Sequence, residues 1–191
     1  MTSLLAVAPG LEGAEPASRV PESCLAADTL TSTGRPFPEH LRGLPSVIQG
    51  PTETSDVGAL IRESLKPLTE MARQGIRLEL SLPPSAVRVH TGWLAANEVL
   101  RILARRVLEN VYDGGVLSVD ARPLGDRVIV EMAHSGGTVT AKPPDTYPSP
   151  AEDPRFRRVR ALLAGIGGAF IVERQDSGGL SVWVALAVAQ A

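Results

Sequence analysis

The sequence predicts an α/β two-layer sandwich: a mixed, mostly antiparallel sheet of 4–5 strands covered on one face by three helices. Three observations predict it. Apolar residues recur at helical spacing in three separate stretches. Between them lie short runs in which apolar and polar residues alternate, the pattern of strands with one buried face. Two of the connections are tight turns between such runs, so those strands pair antiparallel, and one helical layer on one sheet face is the economical packing. The alternation also predicts a polar, solvated second face.

Taken in order, residues 1–53 are rich in Pro, Gly, Ser and Thr and weakly periodic, which reads as a flexible or partly helical arm ahead of a folded domain over 54–191. Within the arm, Phe37 to Gln49 suits a short helix around Leu41, Leu44, Val47 and Ile48. From Ser55, the residues Val57, Leu60, Ile61, Leu65, Leu68, Met71 and Ala72 predict a first helix. Ser55 or Asp56 is placed to accept its free first-turn amides, Pro67 would bend it, and Gly75 is placed to end it. Ile76, Leu78, Leu80 and Leu82 then alternate with polar residues as a half-buried strand stopped by Pro83 and Pro84, and Val87 and Val89 suit a short second strand.

The second helix is predicted over about Thr91 to Leu108, with Trp93, Leu94, Leu100, Leu103 and Val107 as its apolar stripe. Val116–Arg122 and Arg127–Ala133 form the clearest hairpin, turning at Leu124, Gly125 and Asp126. A glycine- and proline-bearing loop spans 134–154. Phe156, Val159, Leu162 and Leu163 mark a third helix, and Ala169–Arg174 with Leu180–Val188 form a closing hairpin around Ser177, Gly178 and Gly179.

Composition narrows the function classes. The hydrophobic share is 43% but the aromatic share only 4%, so the core is aliphatic. A net charge of −2 gives no electrostatic case for nucleic acid or an anionic membrane as partner. Cys24 is the single cysteine, which excludes an internal disulfide and a cysteine-based metal site and fits a cytoplasmic protein. The apolar run Leu4–Ala8 has no preceding Lys or Arg and is cut by Pro9, unlike a signal peptide, and no stretch approaches the ~20 apolar residues of a membrane span. His90 has no histidine close in sequence, so no metal site is expected, and no spacing favours a nucleophilic triad.

The element order, with several local phrases, resembles the GHKL (Bergerat-fold) superfamily, and within it the catalytic, ATP-binding domain of bacterial histidine kinases. The resemblance covers about Ser55 to Val188. "SDVGALIRESLKPLTEMARQGIRLELSLPP" is similar to that family's first helix and strand, and "EVLRILARRVLENVYDGG" to its Asn-bearing helix. "DRVIVEMAHSGG" is similar to the strand ending in its Asp-x-Gly-x-Gly motif, and "ALLAGIGGAFIVERQDSGGLSVWVAL" to its closing helix, glycine turn and hairpin.

The resemblance implies specific chemistry. An Asn late in the motif helix holds Mg²⁺, which bridges the nucleotide phosphates. An Asp at a strand end accepts a hydrogen bond from adenine, and glycines ahead of the third helix let a lid close while that helix offers amides to phosphate.

This sequence departs at each place. In one register Arg106 takes the Asn position, and a guanidinium has no lone pair for Mg²⁺. In a second register, Glu109 and Asn110 would serve as general base and metal ligand. The adenine-reading Asp falls at His134, with Ser135 and Gly136 kept beside it, and "DPRFRRVR" stands where lid glycines belong.

The expectation is therefore a non-catalytic, kinase-like (pseudokinase) domain of bacterial two-component signalling, with no cofactor, that acts through protein contacts or phosphotransfer. Its expected partner is a response regulator or kinase. The expected contact surfaces are Phe156, Arg157 and Arg160, the 134–154 loop and the arm. The alternative is a divergent ATPase binding ATP and Mg²⁺ through Glu109, Asn110, His134 and Gly136. A third reading makes His40, in "PEHLRGLPSVIQG", a phospho-acceptor.

Overall fold

The computed structural model describes residues 53–68, 75–109, 115–135, 153–174 and 180–189. All of them belong to the compact unit Phe37–Ala191, the other unit being Met1–Pro36. The elements run β1 (Thr54–Asp56), α1 (Val57–Leu65), β2 (Arg77–Ser81), β3 (Arg88–His90), α2 (Trp93–Leu108), β4 (Val116–Leu124), β5 (Arg127–Ser135), α3 (Pro154–Gly165), β6 (Ala169–Arg174) and β7 (Leu180–Ala187).

Five strands form the main sheet in the order β2-β4-β5-β7-β6, with β2 parallel to β4 and every other pair antiparallel. The three helices lie on one face, as the alternation predicts. The core between the layers is aliphatic, built on Leu60, Val99, Leu103, Val130 and Val184, all at 0–1% exposure.

Local chemistry sets the helix limits. Asp56 caps α1, its Oδ1 accepting the Ala59 N–H at 2.7 Å. The helix gives way to a tight 3₁₀ turn at Lys66–Leu68, where Pro67 brings no N–H to continue the ladder. Gly75, two residues before β2, has a φ of 91°, a left-handed conformation that glycine adopts without strain. Gly168 serves close approach: a Cβ there would meet Leu163 Cδ2 at 2.7 Å and the Ala185 carbonyl at 3.0 Å, so a side chain would crowd the β7 backbone where α3 turns into β6.

Four expectations are corrected. Ser55 is not the cap; it lies in β1, a strand too short to show alternation, which pairs with β3 as a separate two-stranded sheet. That small sheet joins the main one through a bridge between Val89 and Val188. Leu94 is 83% exposed, because the buried stripe of α2 starts at Ala96 and continues through Val99, Leu100, Leu103 and Val107. Leu80 is also exposed, since β2 is an edge strand.

The fourth correction concerns the sheet's second face. Ile129, Trp183, Ala185 and Glu131 point away from the helices, yet none exceeds 2% exposure. The centre of that face is buried rather than solvated, with Asp120, Arg127, Glu131 and Ser181 beside the apolar residues.

Candidate functional site

The C-terminal end of α2 meets the N-terminus of α3 in one charged corner. Arg106 stands on the inward side of α2, buried to 5% exposure among Leu103, Val107 and their neighbours. Its Nε lies 3.4 Å from Asp153 Oδ2 and its Nη1 3.5 Å from Glu109 Oε2. Arg155 grips both carboxylates. Its Nε and Nη2 donate to the two Asp153 oxygens at 3.0 and 2.8 Å, a two-pronged guanidinium–carboxylate pair. Its Nη1 donates to both Glu109 oxygens at 2.6 and 2.7 Å.

Asp153 also caps α3, accepting the Arg155 backbone N–H at 2.9 Å, with Pro154 at the first helical position, where a missing N–H costs nothing. The hydrogen bond from the Arg155 side chain, ahead of other influences, holds the Asp153 carboxyl below its usual range, and the same bond raises Arg155. Two cations and two anions are thus locked together, and Asp153 fills the place at the start of α3 where an external anion would meet free amides and the positive helix end.

His134 forms the second feature. It lies near the end of β5 on the helix-facing side, at 4% exposure. Its Nε2 accepts the backbone N–H of Leu180, the first residue of β7, at 3.2 Å. The ring proton therefore sits on Nδ1, which meets no hydrogen-bonding partner among the described residues. Burial lowers the imidazole's pKa from its ordinary 6.5.

These residues do not fit a magnesium nucleotide. Arg106 has no lone pair for the metal, and the carboxylates of Glu109 and Asp153 are engaged by guanidinium groups. The acceptor atom of His134 is already used by the sheet.

The structure places some of the sequence candidates. Glu109 sits at the charged corner, and His134 lies at the β5–β7 junction. Asn110, Gly136 and His40 fall outside the described residues, as do the 1–52 part of the arm and most of the 134–154 loop. Of the three contact candidates on α3, Phe156 is a core residue at 2% exposure, stacked at 5.9 Å from Phe170, because its spacing with Val159 and Leu163 turns it inward. Arg157 and Arg160 are exposed, and the Arg160 guanidinium lies 5.9 Å over the Phe170 ring.

Of the remaining α3 arginines, Arg158 pairs with Glu98 at 3.0 Å. Asp153 was not a sequence candidate, although an Asp directly before Pro and an amphipathic run is a recognisable capping signal. Among the described residues no cluster of His, Cys, Asp and Glu suits a metal, and no helix is long and apolar enough to cross a membrane.

No protein-family model matches the chain, and no curated protein does. Solved structures do. The catalytic domain of histidine kinase ThkA is 18% identical, with 71% of this chain and 95% of that domain aligned at a TM-score of 0.58. The mycobacterial sensor histidine kinase MprB is 16% identical over 73% of this chain and 99% of its own, at 0.59. The Acinetobacter baumannii histidine kinase AdeS is 17% identical over 80% and 77%, at 0.56. With its strand order and helical layer, this chain therefore has the fold of the catalytic domains of histidine kinases.

Proposed function

We propose that this domain is a non-catalytic, kinase-like module that works through protein contacts in two-component signalling. The observation that carries the reading is the buried Arg106–Asp153 contact. In the register that sets Arg106 at the family's Asn position, this contact supports the reading, because a guanidinium cannot ligate a metal and Asp153 already takes up the first amide of α3. A buried pair of this kind resists opening, because separating it leaves an uncompensated charge in a dry site. His134 supports the same reading, since its acceptor holds the sheet together.

The proposed partner is a response regulator. A solved structure of ThkA in complex with the response regulator TrrA is 16% identical over 72% of this chain, at a TM-score of 0.57. Arg157 and Arg160 are exposed cations of α3, as is Arg158, which pairs with Glu98; the first two suit the acidic surface of such a partner.

The test combines two measurements. Incubated with γ-labelled ATP and Mg²⁺, the chain is expected to release no phosphate and to retain no label. Its affinity for a receiver domain is expected to fall at least tenfold in Arg157→Glu/Arg160→Glu. Steady ATP turnover sinks the non-catalytic reading; unchanged receiver affinity in the double variant removes α3 as the contact surface.

A further inference from the structure

Seven arginines stand on α2 and α3, against three carboxylates on those helices and their caps: Glu98, Glu109 and Asp153. All three carboxylates are taken up within the pair. Glu98 meets Arg158 at 3.0 Å, Glu109 meets Arg155 at 2.6 Å, and Asp153 meets both Arg155 and the buried Arg106. Four arginines are left over: Arg101 and Arg105 on α2, Arg157 and Arg160 on α3. All four are exposed, and none has a carboxylate at ion-pair distance among the described residues.

Arg101 and Arg105 belong to one stripe. Leu94, Glu98, Arg101, Arg105 and Glu109 follow one another at steps of four or three residues, which brings them to the same side of a helix. Glu98 and Glu109 on that stripe reach arginines of α3, so the stripe runs along the seam where α2 meets α3. Its first member, Leu94, is 83% exposed, the most uncovered large apolar side chain among the described residues. The seam thus carries a leucine at one end and two unmatched guanidinium groups further along, with two more on the neighbouring helix.

We infer that this α2–α3 seam docks an acidic amphipathic helix of a partner protein, with Leu94 as the apolar anchor and Arg101, Arg105, Arg157 and Arg160 as the carboxylate-binding groups. The inference rests on the reading that the domain works through protein contacts, and it extends the contact surface from α3 onto α2. Charge selects an acidic occupant, and a guanidinium offers a carboxylate a planar, two-pronged match. A helix fits because Arg101 and Arg105 are four residues apart: carboxylates at the same spacing on a helix lying along α2 meet both. Leu94 precedes Arg101 by about 10 Å at ~1.5 Å per residue, which sets the partner's apolar residue two turns from its acidic pair.

Nucleic acid or an anionic bilayer suits the seam less well. The chain as a whole carries a net charge of −2 although these two helices hold an excess of cations, so the remainder is acidic and repels an extended polyanion. One exposed leucine also gives a bilayer little to bury.

Calorimetric titration of the full chain with a receiver domain tests the seam. Arg101→Gln/Arg105→Gln is expected to weaken binding about fivefold. Leu94→Ala is expected to weaken it about threefold. Arg77→Gln, exposed on β2, is expected to leave it unchanged, and circular dichroism checks that each variant is folded. Loss of affinity in Arg157→Glu/Arg160→Glu without loss in the α2 variants overturns this inference and leaves the protein-contact reading standing. Loss in none of them overturns both. Should the receiver domain not bind, a synthetic helical peptide decides, bearing a leucine two turns from a pair of glutamates at four-residue spacing. Peptide binding that is lost in Arg101→Gln/Arg105→Gln supports the seam. No peptide binding, equal binding by that variant, or tighter arginine-dependent retention on phosphatidylserine vesicles or duplex DNA overturns it.

Discussion

At the scale of single residues, His134 shows how a position identified with ligand reading takes on a structural duty. The imidazole Nε2 closes the β5–β7 ladder by accepting the Leu180 N–H, and it does so only while unprotonated. Burial lowers its pKa below 6.5, so as pH falls the unfolded chain takes up the proton before the folded one. The stability this residue provides is complete above 6.5, declines as pH drops from there toward the folded value, and is constant below it. The urea midpoint is therefore expected to fall between pH 7.5 and pH 5.5. In His134→Gln, whose amide oxygen can accept the same N–H without titrating, that fall is expected to flatten. An equal slope in both proteins would contradict the assignment. Asp153 acts in a separate window: its pKa is lowered from 3.8, so its contribution holds above that value and is lost only in stronger acid.

At the scale of elements, the junction of α2 with α3 is held by charge. Arg106 and Asp153 are both buried, and Arg155 ties Asp153 to Glu109. Arg106→Ala is expected to lower unfolding stability by about 3 kcal/mol, the low end for breaking a buried pair, because Arg155 still serves Asp153. The exposed neighbour Arg105→Ala is expected to stay within about 0.5 kcal/mol. Chemical denaturation of the two variants measures the difference, and equal effects would remove the claim that the corner is structural.

Elements with a strong local signature were legible in sequence: the β4–β5 hairpin and the apolar stripe of α2 from Leu100 onward. β1 was not, since three residues carry no period. Leu94 and Leu80 were misread because pattern identifies an apolar residue but not the helix end or sheet edge where it stands. Arg106 was legible as a departure from an expected Asn; its partner Asp153 was missed because the pairing joins residues far apart in sequence.

At the scale of the molecule, the described residues form a sandwich of the histidine-kinase type, and the corner between α2 and α3 is filled by the chain's own ion pairs. A calorimetric titration of the full chain with ATP and Mg²⁺ tests this account most directly. The expected result is no saturable heat up to millimolar nucleotide; a micromolar dissociation constant would contradict it.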